Sequence, residues 1–342
     1  MDAWQIILII IGVYVLALII YSFLLYGIIN KSIGRRTDKN PMLKYFTAED
    51  YDGLIATPLS FKNKKGTTLN GFIYHNANTK NNAIMVFFHG FGAGHQAYTT
   101  LINDLVNKVG YPILTFDYTG CDLSEGKKIP NTLQALADGH DFLAYIKTLD
   151  DYKDRPMILI GHSWGGFVAT NLYPMNKDKK IIKVVALNSV TDFPLFYKIT
   201  TRAPFIFIPI NNMLNYFKYG QLAFCTTRKC IKDTPVPHLF IHGEKDESIP
   251  FTPFISSLVL QSDIHKRVKF HFEKDRYHNA YLTNESETEL RKLQANMKAY
   301  RRAKDKEALH NEIMNFDFNL AVQNDEKIIA MIDHFIKETK YE

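Results

Sequence analysis

The sequence predicts an α/β protein: a mostly parallel sheet flanked by helices, a helical cap inserted late in the sheet, and one apolar helix ahead of it. Three observations predict this. Short runs that are apolar at nearly every position, Ala83 to Phe88, Tyr111 to Phe116, Met157 to Ile160, Ile182 to Leu187 and His238 to Ile241, alternate with stretches of helical period. Strands buried on both faces of a parallel sheet have that composition. Between Val190 and Pro235 the strand pattern lapses into residues rich in Phe, Tyr and Pro, which reads as a cap over about 191–236. No charge falls between Asp2 and Lys31.

That N-terminal stretch comes first in the chain. Roughly 20 apolar residues cross a bilayer as a helix, so residues 1–30 are long enough to span one. A secretory signal has a shorter apolar core of about 7 to 15 residues and a small-residue cleavage site, and neither is present. Lys31, Arg35, Arg36, Lys39 and Lys44 all lie on the C-terminal flank. This asymmetry predicts a single-pass protein of the cell membrane whose main domain is cytoplasmic. Residues 31–56 are polar and read as a juxtamembrane linker.

The main domain is expected over 57–342. Alternating runs at Leu59 to Lys62 and Thr67 to His75, separated by Lys64-Lys65-Gly66, signal a hairpin. The parallel strands follow. A helix over Thr132 to Leu149 places Leu133, Leu136, Ala137, His140, Leu143 and Ile146 on one face, with Asn131 and Gln134 spaced as a capping box. A last strand, Val268 to Phe272, precedes a charged helical segment at about 285–315. An amphipathic helix from Glu326 to Lys337 closes the domain, with Ile328, Ile329, Ile332 and His334 or Phe335 inward.

Composition narrows the function classes. With 46% hydrophobic and 22% charged residues the chain is an ordinary globular one, and the net charge of +6 is partly the cluster after the apolar helix. The other Lys and Arg are interspersed with acids, so no nucleic-acid groove is expected. Cys121, Cys225 and Cys230 form no CxxC pair, which fits a reducing compartment; a Cys225–Cys230 bridge stays open. His238 and His242 share a strand face but lack a third ligand, so neither metal nor cofactor is expected.

The chemistry concentrates on Gly161-His162-Ser163-Trp164-Gly165, a GxSxG run between an apolar strand and the helical run Phe167 to Tyr173. A serine on such a sharp turn is strained and pushed out of the sheet edge as a nucleophile. The helix N-terminus behind it favours a developing oxyanion. The loop His89-Gly90-Phe91-Gly92-Ala93-Gly94 also follows a strand, and the amides of Phe91 and Trp164 are the expected oxyanion hole. Ser163 needs a base and an acid later in the chain, in the order serine, acid, histidine. Asp246, in the loop after a strand, is the expected acid, with Glu244 and Asp192 as alternatives. Of the later histidines, His271 lies within a strand, His310 in the charged segment and His334 on a packed helix. His278, in the loop after the last strand, is the expected base, with His271 or His265 as fallbacks.

Together these elements resemble the α/β-hydrolase superfamily over about 57–342. The run Asp117-Tyr118-Thr119-Gly120-Cys121-Asp122-Leu123-Ser124-Glu125-Gly126 is similar to the family's Asp-x-x-Gly-x-Gly-x-Ser-x-Gly loop, with Asp122 where glycine is common. The resemblance implies an α/β-hydrolase fold and a serine hydrolase that cleaves carboxylic esters through an acyl-enzyme. The apolar helix would hold it near lipid, which suggests a lipid-like acyl ester as substrate, and the aromatic residues of the cap are expected either to line its pocket or to form a small core of the cap's own. Acyl transfer, thioester or peptide cleavage by the same residues, and a catalytically silent membrane-tethered binding protein, are the alternatives. Protein partners are not indicated.

Overall fold

The computed structural model describes residues 2–80, 82–176, 178–259 and 267–338. Helix α1 (Ala3–Ile33) is the one described helix long and apolar enough to cross a membrane. At about 1.5 Å per residue its 31 residues extend roughly 46 Å, well past a ~30 Å hydrocarbon core. Its last third is docked on the domain: Leu25 and Ile29 are buried, Tyr26 Oη donates to Asn215 Oδ1 at 2.8 Å, and Asn131 Nδ2 donates to Asn30 Oδ1 at 2.7 Å.

The sheet has eight strands in the order β1-β2-β4-β3-β5-β6-β7-β8. These are β1 (Ile55–Lys62), β2 (Thr68–His75), β3 (Ile84–Phe88), β4 (Ile113–Phe116), β5 (Met157–His162), β6 (Ile181–Leu187), β7 (His238–Gly243) and β8 (Val268–Glu273). The hairpin β1–β2 pairs Lys62 with Thr68, β2 runs antiparallel to β4, and all other pairings are parallel. The strand period of two sorts the core into two layers. Along β3, Ile84, Val86 and Phe88 enter one layer while Met85 and Phe87 enter the other. The first layer is covered by α3 (Leu133–Ile146) and α4 (Trp164–Asn176), the second by α2 (Thr99–Val109) and α11 (Glu326–Lys337). On α11 it is Phe335 that is buried, and His334 is exposed beside Glu338.

Several expected details differ. The capping box ahead of α3 does not form. Asn131 Oδ1 accepts from the Leu133 amide at 2.9 Å, but Gln134 turns away, donating from Nε2 to Asp138 Oδ1 at 2.8 Å while its Oε1, the acceptor a capping box would use, accepts from Lys65 Nζ at 2.8 Å. The stretch 31–56 is not a free spacer. It begins inside α1, ends inside β1, and between them lies along the domain, with Thr37 N donating to Gly120 O and Arg36 donating to the carbonyls of Ser124 and Gly126.

Between β6 and β7 the cap consists of α5 (Phe193–Thr200), α6 (Phe207–Tyr219) and α7 (Thr227–Asp233). Phe193, Tyr197 and Phe207 pack into the first core layer, whereas Phe205 and Phe217 face solvent. Cys230 directs its thiol at the Thr170 carbonyl rather than at Cys225. Helix α8 (Phe251–Val259) follows β7. After β8, α9 (Asn284–Ala303) and α10 (Lys306–Met314) pair over Leu293, Met297, Leu309 and Ile313, with Leu43, Phe316 and Phe318 against them. Each such buried side chain contributes roughly 1.5–3 kcal/mol, enough to hold the two helices as a small separate core.

Candidate active site

Strand β5 ends at His162 and α4 begins at Trp164, so Ser163 alone makes the turn, with φ of 55°. A non-glycine residue in that region costs roughly 1–3 kcal/mol and must be held there. The Ser163 amide donates to Leu187 O at 2.8 Å, and the Val190 amide donates to Ser163 O at 3.2 Å. The flanking glycines are required by proximity. A Cβ on Gly161 would lie 2.1 Å from Gly165 O, and one on Gly165 would lie 1.9 Å from Phe88 O.

The loops after β7 and β8 bring two side chains to this serine. His278 Nε2 is 3.0 Å from Ser163 Oγ, and His278 Nδ1 is 2.8 Å from Asp246 Oδ2. The carboxylate can only accept, so Nδ1 carries the proton and the Nε2 lone pair faces the hydroxyl. Asp246 Oδ1 takes the amides of Ser248 and Ile249, each at 2.9 Å, and Oδ2 also takes Asn188 Nδ2 at 2.9 Å. Burial works to raise the Asp246 carboxyl, but the His278 ring and these donors outweigh it and hold it below the usual carboxylate range.

The other candidates are occupied elsewhere. Glu244 is exposed, and Asp192 caps α5 by accepting the Leu195 amide at 2.8 Å. His271 pairs with Glu273 at 2.7 Å within β8, His310 is exposed on α10, and His265 lies outside the described residues. His238 and His242 are both held by main-chain carbonyls, of Val236 and Ile249.

The glycine-rich loop passes directly over the serine: a Cβ on Gly90 would come within 3.3 Å of Ser163 Cβ and 2.6 Å of Tyr98 Oη. Phe91, the next residue, sets its ring 5.7 Å from that of Trp164, whose indole donates to Thr132 O at 2.8 Å. The Asp117 loop braces this arrangement from behind, with Asp117 Oδ1 accepting both the His95 amide and His95 Nδ1.

Four residues not singled out in the sequence hold the site. His162 donates from Nε2 to His278 O at 2.8 Å and accepts at Nδ1 from Tyr98 Oη at 2.9 Å; Tyr98 in turn accepts the Gly90 amide at 3.1 Å. One chain of hydrogen bonds thus ties the glycine loop, the serine turn and the histidine loop together. Burial, then the nearby His278, lowers the His162 pKa to about 3, so its ring stays neutral. Asn188, at the end of β6, also donates to Tyr277 O at 2.9 Å and accepts the Ala280 amide at 3.2 Å. Glu287, buried in the first turn of α9, accepts the Tyr277 amide at 2.9 Å and the Asn279 amide at 2.7 Å, so both neighbours of His278 are pinned.

A cavity of about 450 Å³ opens on Ser163 and His278. Its walls include Leu43 to Phe46 of the stretch after α1, the glycine-rich loop and the start of α2, the first half of α9, and residues of 316–324. Among the described residues the 191–236 insertion lines none of it, because the inward aromatics of that cap are consumed by the domain core. The expectation that the cap forms the pocket wall is corrected accordingly.

Residues 83–207 match the family model described as the alpha/beta hydrolase fold. The chain is 27% identical over 203 residues to the uncharacterized protein YfhR of Escherichia coli K12, an alignment covering 58% of this chain and 66% of YfhR, just under two thirds of that relative's length. It is 24% identical over 218 residues to a mitochondrial palmitoyl-protein thioesterase of Rattus norvegicus, covering 57% of this chain and 68% of the relative. Among solved structures, an esterase of Pyrococcus furiosus superposes with a TM-score of 0.53 at 14% identity, over 83% of this chain and 99% of that one, a likeness of fold.

Proposed function

Because the chain is a member of the α/β-hydrolase superfamily, we propose that it is a serine hydrolase that cleaves carboxylic acyl esters through an acyl-enzyme, with lipid-like esters as its substrates. The observation that carries this reading is the continuous hydrogen-bonded run from Ser163 Oγ through His278 to Asp246, met in the order serine, acid, histidine along the chain.

In this reading His278 takes the Ser163 proton as the oxygen attacks the acyl carbonyl. The tetrahedral oxyanion sits between the amides of Phe91 and Trp164, near the positive end of α4. His278 returns the proton to the leaving oxygen, and a water then enters by the same route in reverse to release the acid. Asp246, kept ionised, fixes the tautomer and offsets the charge His278 acquires. Helix α1 would anchor the enzyme by a single span. The basic residues from Lys31 to Lys44 favour a cytoplasmic domain, and cysteine-accessibility labelling of intact cells, showing the domain shielded, would agree with that orientation.

A fluorophosphonate probe tests the nucleophile. Wild-type protein is expected to be labelled and Ser163→Ala to be blank; equal labelling of both would remove the assignment. His278→Ala is expected to lower turnover on an acyl ester by about 10⁴-fold. The same machinery would also open a thioester, and the rat relative's name points the same way.

A further inference from the structure

Beyond the cavity at Ser163 lies a second groove of about 450 Å³, between Asn40 and Leu43 on one side and the C-terminal half of α9 on the other. Leu43 and Gln294 line both, so the two are neighbours, meeting at this pair of side chains. From Leu290 to Lys304 the helix carries Arg291, Lys292, Lys298, Arg301, Arg302 and Lys304 and no acid. The cations nearest the site are engaged: Arg291 lies 3.3 Å from Glu247 with its guanidinium over the Tyr277 ring, and Lys292 pairs with Glu289. Lys298, Arg301 and Arg302 are exposed, line the second groove, and make no ion pair among the described residues. Three cations without a carboxylate partner on the wall of a groove present the charge and donors that phosphate takes.

Helix geometry sets how far this site is from the reacting bond. Glu287 touches both neighbours of His278, and Lys298 to Arg302 lie 11 to 15 residues further along α9. At ~1.5 Å per residue, less a few ångströms because side chains lean toward the helix N-terminus, the cations stand roughly 12–20 Å from His278. A phosphate joined to an acyl ester through glycerol is only a few bonds away, roughly 6 Å, and falls short. A phosphopantetheine arm, about four residue lengths of extended chain or roughly 15 Å from sulfur to phosphate, spans the gap.

Resting on the serine-hydrolase reading above, we infer that beside carboxylic esters the same site takes an acyl thioester on a phosphopantetheine arm, the form of an acyl-coenzyme A, with its phosphates on Lys298, Arg301 and Arg302. Ser163 Oγ adds to the thioester carbonyl, the C–S bond breaks, and the sulfur leaves as a thiol with the proton from His278. Water then cleaves the acyl-serine ester to the free acid.

The test uses the full chain in detergent with three octanoyl substrates: octanoyl-coenzyme A, its truncated N-acetylcysteamine thioester, and octanoyl glycerophosphate. The wild type is expected to show kcat/KM at least tenfold higher for the coenzyme A ester than for the truncated thioester. The triple variant Lys298→Gln, Arg301→Gln, Arg302→Gln should lose at least tenfold on the coenzyme A ester, mainly through KM, while its rate on the truncated thioester stays within twofold and reports an intact fold. No preference in the wild type, an equal loss on both thioesters, or a preference for octanoyl glycerophosphate would overturn the inference while leaving the hydrolase reading standing. Failure to cleave any of the three, together with no fluorophosphonate labelling, would overturn both.

Discussion

Asn188 holds its place at φ of 43° and spends every polar atom of its side chain on the site, binding Asp246, Tyr277 and Ala280 at once. Truncating it takes the side-chain partner from Tyr277 O and the Ala280 amide and one of two side-chain donors from Asp246 Oδ2, which costs roughly 1–3 kcal/mol. Asn188→Ala should therefore lower the thermal midpoint and, by loosening His278, cut turnover by about 10²-fold. Asp246 makes a pH-dependent prediction. Its carboxyl titrates below the unfolded value of about 3.9, so the stability it contributes is complete above that pH and is lost as pH falls through the lowered folded value. The stability gap between wild type and Asp246→Asn is expected to shrink on acidification below about pH 4, as followed by thermal melts at a series of pH values. Ser163, Asp246 and His278 were legible because each lies just past a strand and carries a reactive group. Asn188 occupies the equivalent place after β6, but an amide announces no chemistry. Tyr98 and Glu287 become visible only when distant segments meet.

Glu287 belongs to an element whose purpose composition does not disclose. The charged segment 285–315 reads as a solvated helical stretch, yet its first turn clamps the His278 loop and its flank walls the cavity. Glu287→Gln replaces one acceptor with a donor facing an amide N–H. The expected result is a 10- to 100-fold loss in kcat with KM little changed, measured by steady-state kinetics on a fold checked by circular dichroism. The serine turn behaves differently. A methyl group at Gly165 would overlap Phe88 O, so Gly165→Ala should destabilise by more than about 4 kcal/mol or prevent folding, read as loss of soluble protein. Strands announced themselves through uninterrupted apolar runs and the cap through the lapse of those runs. What the cap covers could not be read, since aromatic residues look alike whether they fill a core or line a pocket. Polarity misled equally at 31–56, where residues packed across a domain surface have the composition of a free linker.

At the scale of the whole molecule, burial favours the neutral ring at four described histidines, His242 among them. Burial pushes His89 and His238 down to about 4 and His162 down to about 3. In the unfolded chain each takes up a proton below about pH 6.5, so folding stability is unaffected above that pH and declines as pH falls toward the folded values. Each excess proton bound by the unfolded state steepens the decline by ~1.4 kcal/mol per pH unit. Denaturant melts between pH 7 and pH 4 should show this slope, and His238→Gln, far from the serine, should reduce it by one proton's share. A second consequence follows from the path of the chain between α1 and β1. Leu43 to Phe46 follow α1 only to become part of the pocket. A soluble enzyme started at residue 57 would keep Ser163, Asp246 and His278 and react with a fluorophosphonate, yet it would be missing one side of its own mould. Its selectivity among acyl substrates would be that of an open trough, whereas a chain started ahead of Ser22, keeping the docked last third of α1 and Leu43 to Phe46, would still discriminate as the full chain does.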